Sequence, residues 1–218
     1  MIITIDGPAG TGKSTAARSL AERLGFAYLD TGAMYRAVGL ACLRRGVSPD
    51  DEAACGLLMR TVSISVDGQR TWLDGEDVSE EIRSLEVTSA ASEVAKNGGV
   101  RAALVDLQRS IALTGDYVCE GRDQGTVAFP DAEIKFYVSA TPEVRAERRR
   151  QELLTKGADV PGEELLRQIT ERDQRDQERA VSPLRPADDA IEIDTTDLDS
   201  EAVLARLETE VRAKLAPR

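Results

Sequence analysis

The segment with the clearest chemistry lies at residues 7–14, where the sequence reads GPAGTGKS. Its spacing, G-x-x-x-x-G-K-[ST], is that of a phosphate-binding P-loop. An apolar run at 2–5 precedes it and a helical pattern follows from Lys13, so amides of the loop and the helix start can point at an anion. We predict a nucleoside triphosphate site in which Lys13 reaches the β and γ phosphates and the Ser14 hydroxyl holds Mg²⁺. The predicted loop residues are Gly7, Pro8, Ala9, Gly10, Thr11, Gly12, Lys13, Ser14 and Thr15.

Arginines suggest where a second anion would bind. Several stand where strands would deliver their carboxyl ends to the binding crevice of an open parallel sheet. Guanidinium groups pair with phosphate bidentately, so a convergent set could hold an acceptor in line with the γ-phosphate. For any one arginine taken alone, a solvated surface position is the simpler interpretation. The candidates are Arg36, Arg101, Arg122, Arg172 and Arg179.

The elements that must position these residues alternate between strands and helices. Short apolar runs at 2–5, 26–29, 117–120, 134–138 and 191–194 are separated by helical patterns, which predicts an α/β fold with a central parallel sheet flanked by helices. Residues 61–78 differ, because alternating apolar positions on both sides of Asp67-Gly68 predict an antiparallel hairpin inserted into that core.

Composition narrows the possible functions. The chain has 218 residues, 28 Lys+Arg, 39 Asp+Glu and a net charge of −11, which argues against general binding to nucleic acid or an anionic membrane. It has no histidine, which excludes Ser-His-Asp hydrolysis, zincin chemistry and phosphohistidine intermediates. Three cysteines without metal spacing suggest reduced thiols. With neither a leader pattern nor a long apolar run, we expect a cytoplasmic protein. We also expect it to be a monomer.

Four linked motifs resemble bacterial cytidylate kinases. The first is the P-loop together with DTGAMYR at 30–36, and the second is LDGEDV at 73–78 with Ile82-Arg83. The third is GRDQGTVAFPDA at 121–132, and the fourth is ERDQRD at 171–176 leading to Arg179 and SPL at 182–184. The resemblance covers nearly the whole chain in order, and it identifies the sequence as a member of this family of P-loop kinases.

The resemblance implies transfer of the γ-phosphoryl of MgATP to CMP or dCMP, and it assigns roles by position. Lys13, Arg122 and Arg179 would be catalytic, and Arg148 would join the ATP site, although spacing alone does not choose among Arg145, Arg148, Arg149 and Arg150. The acceptor's 5′-phosphate would be gripped by Arg36 and Arg122, with Arg179 near the phosphates. The cytosine would be read by Ser92, Arg101 and Asp123, and Thr31 would help to seat the acceptor. Arg172 and Asp176 would contact the sugar, and their i, i+4 spacing puts both on one helix face.

The resemblance also implies a division of the single domain 1–218. The core would comprise 1–30, 115–147 and 163–218, and a monophosphate-binding arm would span 31–114, including the insertion at 61–78. A short mobile lid would span 148–162.

Several alternatives remain open at this stage. The P-loop could be a glycine-rich turn, Ser92 an ordinary helix residue, and Asp123 a structural partner of Arg122. Gln124 stands where the family usually has an apolar residue, which leaves the packing behind Asp123 open. The chain could phosphorylate another small acceptor, such as shikimate or a sugar acid, although such kinases should resemble it only at the P-loop and lack the hairpin insertion. It could also be a nucleotide-dependent switch, although a switch needs no second arginine cluster.

Overall fold

The computed structural model describes residues 1–155 and 157–215. In chain order its elements are β1 (Ile2–Asp6), α1 (Lys13–Leu24), β2 (Ala27–Asp30), α2 (Thr31–Arg45), α3 (Glu52–Met59), β3 (Ile64–Asp67), β4 (Arg70–Leu73), β5 (Glu76–Asp77), a 3-10 turn (Glu81–Arg83), α4 (Leu85–Val94), α5 (Gly98–Ala112), β6 (Tyr117–Gly121), a π-helical turn (Gln124–Ala128), β7 (Ile134–Ser139), α6 (Pro142–Thr155), α7 (Gly162–Gln177), β8 (Ile191–Asp194) and α8 (Ser200–Leu215).

The central sheet confirms the predicted α/β architecture. Its five strands lie in the order β2-β6-β1-β7-β8 and all pair in parallel. The strand that leads into the P-loop is therefore the middle strand, and β6, which leads into Arg122, is its direct neighbour. Parallel strands bring their carboxyl ends to one edge. This topology places the P-loop beside the start of the third motif.

Side chains of β1 alternate between two cores, as a strand period of two requires. Ile3 and Ile5 pack among the apolar residues of α1 and α8 on one face of the sheet. The other face of the sheet is covered by a larger cluster that includes residues of α2, α4 and α5. Thr4 and Asp6 project toward this second side and are buried, although both are polar. Their burial at the centre of the sheet requires hydrogen-bond partners close by.

The predicted hairpin insertion is present as a three-stranded antiparallel sheet in the order β3-β4-β5. The predicted turn residues are wrong by one position. Asp67 pairs with Arg70, so the two connecting residues are Gly68 and Gln69. The tip touches the main body, because Gly68 forms an isolated bridge with Leu29 and Gln69 accepts a 2.8 Å hydrogen bond from Arg18.

The predicted lid range, 148–162, spans the end of α6, the connection and the first residue of α7; Lys156 within it lies outside the described residues. Apolar side chains join the two helices in a small cluster of their own. This cluster includes Leu153, Leu165 and Ile169 and is separate from the two cores at the sheet. The movement of this segment as a lid stays a prediction.

The three cysteines are free, as the sequence predicts, and all three are buried. Cys42 and Cys55 lie side by side on α2 and α3, with 3.8 Å between their sulfur atoms. Burial raises the pKa of both thiols, so the pair packs as two neutral groups. Within 1–155 and 157–215, no helix is long and apolar enough to cross a membrane.

Candidate active site

The loop between β1 and α1 adopts a conformation that only glycine fits at its first position. Gly7 has φ 148°, and a Cβ built there would lie 2.0 Å from the main-chain oxygen of Val138. Gly10 and Gly12 also have positive φ, at 81° and 86°. A side chain at these positions would strain the backbone. The loop therefore closes tightly at the head of α1, as the P-loop interpretation predicts, and the glycines serve the shape of the loop.

Lys13 begins α1 and is folded back over the loop. Its Nζ donates a 3.2 Å hydrogen bond to the main-chain oxygen of Pro8, and the residue is only 6% exposed. Burial lowers the pKa of Lys13 to about 7, with a further lowering from Arg122 and an opposing effect from Glu120. An ammonium held this way lacks a full counter-charge. A bound triphosphate would supply one.

Glu120 faces the start of α1 and is absent from the site residues predicted from the sequence. Ser14 Oγ donates a 2.8 Å hydrogen bond to Glu120 Oε1, while Glu120 Oε2 is buried and has no hydrogen-bond partner within the described chain. Burial raises the pKa of Glu120, and Lys13 opposes the rise. A hydroxyl beside a carboxylate oxygen that lacks a partner is a ligand set that suits Mg²⁺. The available signal was an acidic residue at the end of a strand that precedes Gly121-Arg122.

Arg122, Arg172 and Arg179 lie near Asp176, and Arg122 bonds to its carboxylate. Arg122 Nε donates to Asp176 Oδ2 at 3.0 Å, and Arg179 Nε donates to the main-chain oxygen of Asp176 at 3.3 Å. Against the effect of burial, these three guanidinium groups hold the pKa of Asp176 below its ordinary value. Arg122, which follows β6, therefore does converge with Arg172 of α7 and with Arg179, which follows α7. We call Arg36, Arg122, Arg172 and Arg179 the arginine cluster.

The arginine cluster carries more positive charge than Asp176 can balance. Burial, with the neighbouring Arg122, lowers the pKa of Arg172 to about 10, and Arg36 acts in the same direction. Arg36 is held by Asp30, which it contacts at 2.9 Å and which also caps α2 at the amide of Ala33. Buried donor atoms of Arg36, Arg172 and Arg179 have no hydrogen-bond partner in the part of the chain that is described. Crowded cations with unused donors are typical of an anion site.

Asp123 and Arg101 form a buried ion pair, with both side chains less than 5% exposed. The guanidinium of Arg101 also lies over the ring of Tyr35, 5.3 Å from its centroid. The alternative that Asp123 is a structural partner of Arg122 is wrong, because Asp123 pairs with Arg101 and Arg122 bonds to Asp176. The pair joins α5 to the residue that precedes the π-helical turn.

The remaining predicted site residues occupy different surroundings. Thr31 is buried at the start of α2 and donates to the main-chain oxygen of Glu120 at 2.7 Å. Ser92 is half-buried on α4, and the adjacent Glu93 lies 3.4 Å from Arg175 of α7. Thr15 is exposed on α1. The prediction of Ser92 as a base-reading residue stays open, although α4 and α7 do approach each other at this point.

Arg148 lies at the P-loop, where its donors are used within the protein. It donates to the main-chain oxygens of Thr11 and Leu198 at 3.3 and 3.1 Å, and to both oxygens of Thr195. Arg145, which the sequence analysis could not rank, also reaches the loop, because it contacts the main-chain oxygen of Ala9 at 3.2 Å. Both arginines thus brace the P-loop from α6.

A model of the family described as Cytidylate kinase matches residues 3–213, nearly the whole chain. The chain belongs to the cytidylate kinase family. The cytidylate kinase of Caldanaerobacter subterraneus subsp. tengcongensis is 50% identical over 210 residues, which cover 96% of this chain and 94% of that relative. The cytidylate kinase of Pelotomaculum thermopropionicum is 50% identical over 216 residues, which cover 97% and 96%.

A solved shikimate kinase from Bacteroides thetaiotaomicron shares the fold, with a TM-score of 0.50 and 13% identity over 97% of this chain and 98% of that one. The likeness extends beyond the P-loop but concerns the fold alone. A cytidylate kinase is a nucleoside monophosphate kinase, so the predicted P-loop kinase fold, family and phosphotransferase class are confirmed. The roles of individual residues in this member of the cytidylate kinase family stay predictions.

Proposed function

We propose that the chain transfers the γ-phosphoryl group of MgATP to CMP or dCMP and releases the nucleoside diphosphates. The observation that carries this proposal is the position of Arg122 between the proposed donor and acceptor phosphate sites. Arg122 directly follows Gly121, which pairs with Asp6 immediately before the P-loop, and it also bonds to Asp176 within the arginine cluster. A donor phosphate at Lys13 and an acceptor phosphate in the cluster would share this guanidinium.

On the donor side, the P-loop amides and Lys13 would hold the β and γ phosphates. Ser14 and Glu120 would hold Mg²⁺, which neutralises charge on the transferring group when bound. Arg145 and Arg148 brace the loop through its main-chain oxygens, so the cradle keeps its shape. Rigid placement matters because phosphoryl transfer depends on positioning and charge stabilisation.

On the acceptor side, Arg36, Arg122 and Arg179 would bind the 5′-phosphate, and Arg172 with Asp176 would contact the sugar. The unused donors of the cluster support this assignment. The attacking phosphate oxygen is already ionised at neutral pH, so the reaction needs no general base. The absence of histidine from the sequence is consistent with such a reaction.

Base selection would depend on the Asp123–Arg101 pair, with Ser92 as a third group. Cytosine offers an amino donor beside two acceptors, which a carboxylate, a guanidinium and a hydroxyl can complement. Uracil would place a carbonyl where cytosine has its amino group, and Asp123 would then face an acceptor. An unmatched buried acceptor weakens binding, so we expect UMP to be a poorer substrate.

A coupled assay with MgATP and a panel of CMP, dCMP, UMP, AMP, GMP and shikimate tests the proposed reaction. We expect the highest kcat/KM with CMP or dCMP and a lower value with UMP, because only cytosine matches the Asp123–Arg101 pair. A kcat/KM for shikimate above that for CMP would show that the proposed acceptor is wrong. ATP hydrolysis at the same rate without any acceptor would contradict transfer itself.

Binding of metal-free ATP should draw a proton from solution. The pKa of Lys13 is about 7 in the free protein, and a triphosphate favours the ammonium, so binding raises that pKa. At pH 8 the amine is largely neutral before binding, and we expect uptake approaching about one proton per ATP, with affinity falling as the pH rises above 7. Calorimetry in buffers of different ionisation enthalpy measures the uptake.

Two controls sharpen that experiment. Mg²⁺ is omitted because Glu120, whose pKa is raised by burial, would release a proton on binding a cation. In Lys13→Met the buffer dependence should disappear. A heat of binding that is the same in every buffer for the wild-type protein at pH 8 would contradict the assignment of Lys13.

We further propose that the protein works as a monomer in the cytoplasm. The donor cradle and the arginine cluster both come from one chain, so no second copy is needed to complete the site. Buried free thiols fit a reducing compartment, and the net charge of −11 gives no general attraction to nucleic acid. Light scattering after size exclusion would test the monomer.

A further inference from the structure

Asp6 is a buried carboxylate between the two halves of the site. It ends β1 and directly precedes Gly7, and it is 4% exposed. Its two oxygens accept hydrogen bonds from the main-chain amides of Gln124 at 2.9 Å and Gly125 at 2.7 Å. Those amides open the π-helical turn, where the first N–H groups have no partner within the turn itself. The side chain of Asp6 thus provides hydrogen-bond acceptors for both amides.

The residues it holds belong to the proposed acceptor site. We call residues 122–125 the acceptor segment; it contains Arg122, which belongs to the arginine cluster and bonds to Asp176, and Asp123, which pairs with Arg101. Both side chains depend on how the backbone of this segment is placed. Asp6 bonds to the segment immediately after Asp123, and on its other side it continues into the P-loop.

Glycines on either side of Arg122 and Asp123 show how closely this segment is fitted. A Cβ at Gly121 would lie 2.8 Å from Thr31 Oγ1, and a Cβ at Gly125 would lie 2.9 Å from Thr4 Oγ1. The backbone therefore lies directly against its neighbours at both ends. The carboxylate of Asp6 accepts from the amides of Gln124 and Gly125, and these hydrogen bonds fix the segment to β1.

We propose that Asp6 is a positioning residue that fixes the acceptor segment to the P-loop strand and so sets the affinity and base selectivity for the acceptor nucleotide. This inference rests on the proposed function. It extends that function, because the buried Asp6 bonds to the backbone of the acceptor segment and would act through Arg122 and Asp123. The donor cradle depends on its own glycines and on α6, so loss of the contact should affect the acceptor more than ATP.

Replacing Asp6 with asparagine separates a positioning role from a role in filling space. Asp6→Asn keeps the volume but replaces one acceptor oxygen with an NH₂ group, which would face a backbone N–H. One of the two bonds is then lost and a buried donor is left without a partner. The control is Asp194→Asn, at a strand-end carboxylate that is exposed where Asp6 is buried. Asp194 ends β8 in the same sheet and accepts the amide of Thr196 at 2.8 Å, away from the acceptor segment.

The experiment measures dissociation constants for CMP, UMP and ATP separately by calorimetry. For Asp6→Asn we expect CMP to bind about tenfold more weakly, with a smaller difference between CMP and UMP and with ATP affinity within about twofold of wild type. Asp194→Asn should leave all three constants unchanged. An unchanged CMP constant in Asp6→Asn, or an ATP constant that weakens as much as that for CMP, would overturn the inference.

Asp123→Ala, measured in parallel, distinguishes the two possible failures. If Asp123→Ala weakens CMP binding and Asp6→Asn does not, only the positioning role is wrong. If neither weakens it, the proposed acceptor site is wrong as well. Should Asp6→Asn fail to fold, hydrogen exchange of the Gln124 and Gly125 amides in the wild-type protein gives the answer. CMP alone should slow their exchange, and unchanged exchange would overturn the inference.

Discussion

Replacing Lys13 with methionine should lower kcat for CMP phosphorylation by about 10²–10³-fold and leave the fold intact, because its charge acts on the transferring group. Lys13 contributes one 3.2 Å hydrogen bond to Pro8, while its burial lowers the pKa of its ammonium. A buried cation without a full partner is a cost to folding, so Lys13→Met should melt no earlier than wild type. Steady-state kinetics and thermal melts monitored by circular dichroism measure the two effects.

Lys135 provides the matched control. It is also buried in the sheet region, but its Nζ bonds to Asp189 at 2.9 Å and to the main-chain oxygen of Pro130. Lys135→Met keeps the aliphatic stem and removes these contacts, so it should lower the melting temperature and leave kcat near wild type. Turnover by Lys13→Met close to that of wild type would remove the P-loop lysine from the mechanism.

Asp123→Ala should produce two separate losses. It leaves the guanidinium of Arg101 buried without its partner, which costs about 3–5 kcal/mol of unfolding free energy. It also removes the group proposed to accept from the cytosine amino group, so kcat/KM for CMP should fall while the affinity for ATP is retained. Denaturant unfolding and the coupled assay measure these losses independently.

A double variant determines which loss explains the kinetics. Arg101→Met with Asp123→Ala removes both charges, so most of the lost stability should return. Activity on CMP should stay low, because neither partner for the base is present. If the double variant recovers both stability and wild-type activity on CMP, the pair is structural and the proposed base-reading role is wrong.

Local sequence signals predicted the main elements of this fold. The five apolar runs became the five parallel strands, and the G-x-x-x-x-G-K-[ST] spacing marked the loop between β1 and α1. The hairpin was found from its alternation, but its turn was misplaced because Asp67-Gly68 is itself a strong turn signal. The structure pairs Asp67 with Arg70, and that register depends on how the two strands pack.

The parts of the site that were missed depend on contacts between distant segments. Glu120 was treated as the end of a strand, and only the parallel pairing of β6 with β1 brings its carboxylate to Ser14. Asp6 lies between the apolar run at 2–5 and the P-loop and was given no role, because its partners lie 118 and 119 residues away. A single sequence does not show which residues so far apart along the chain come into contact. The alternative that paired Asp123 with Arg122 was wrong for the same reason, because its partner Arg101 lies 22 residues away in the sequence.

The proposed function requires two anions to bind face to face, with Arg122 between them. A crystal structure with CMP and a non-hydrolysable ATP analogue would test this arrangement. We expect the triphosphate at Lys13 and the CMP phosphate in the arginine cluster, with Arg122 contacting the CMP phosphate and Asp123 facing the cytosine amino group. A CMP phosphate bound away from Arg36, Arg122 and Arg179 would show that the proposed acceptor site is wrong.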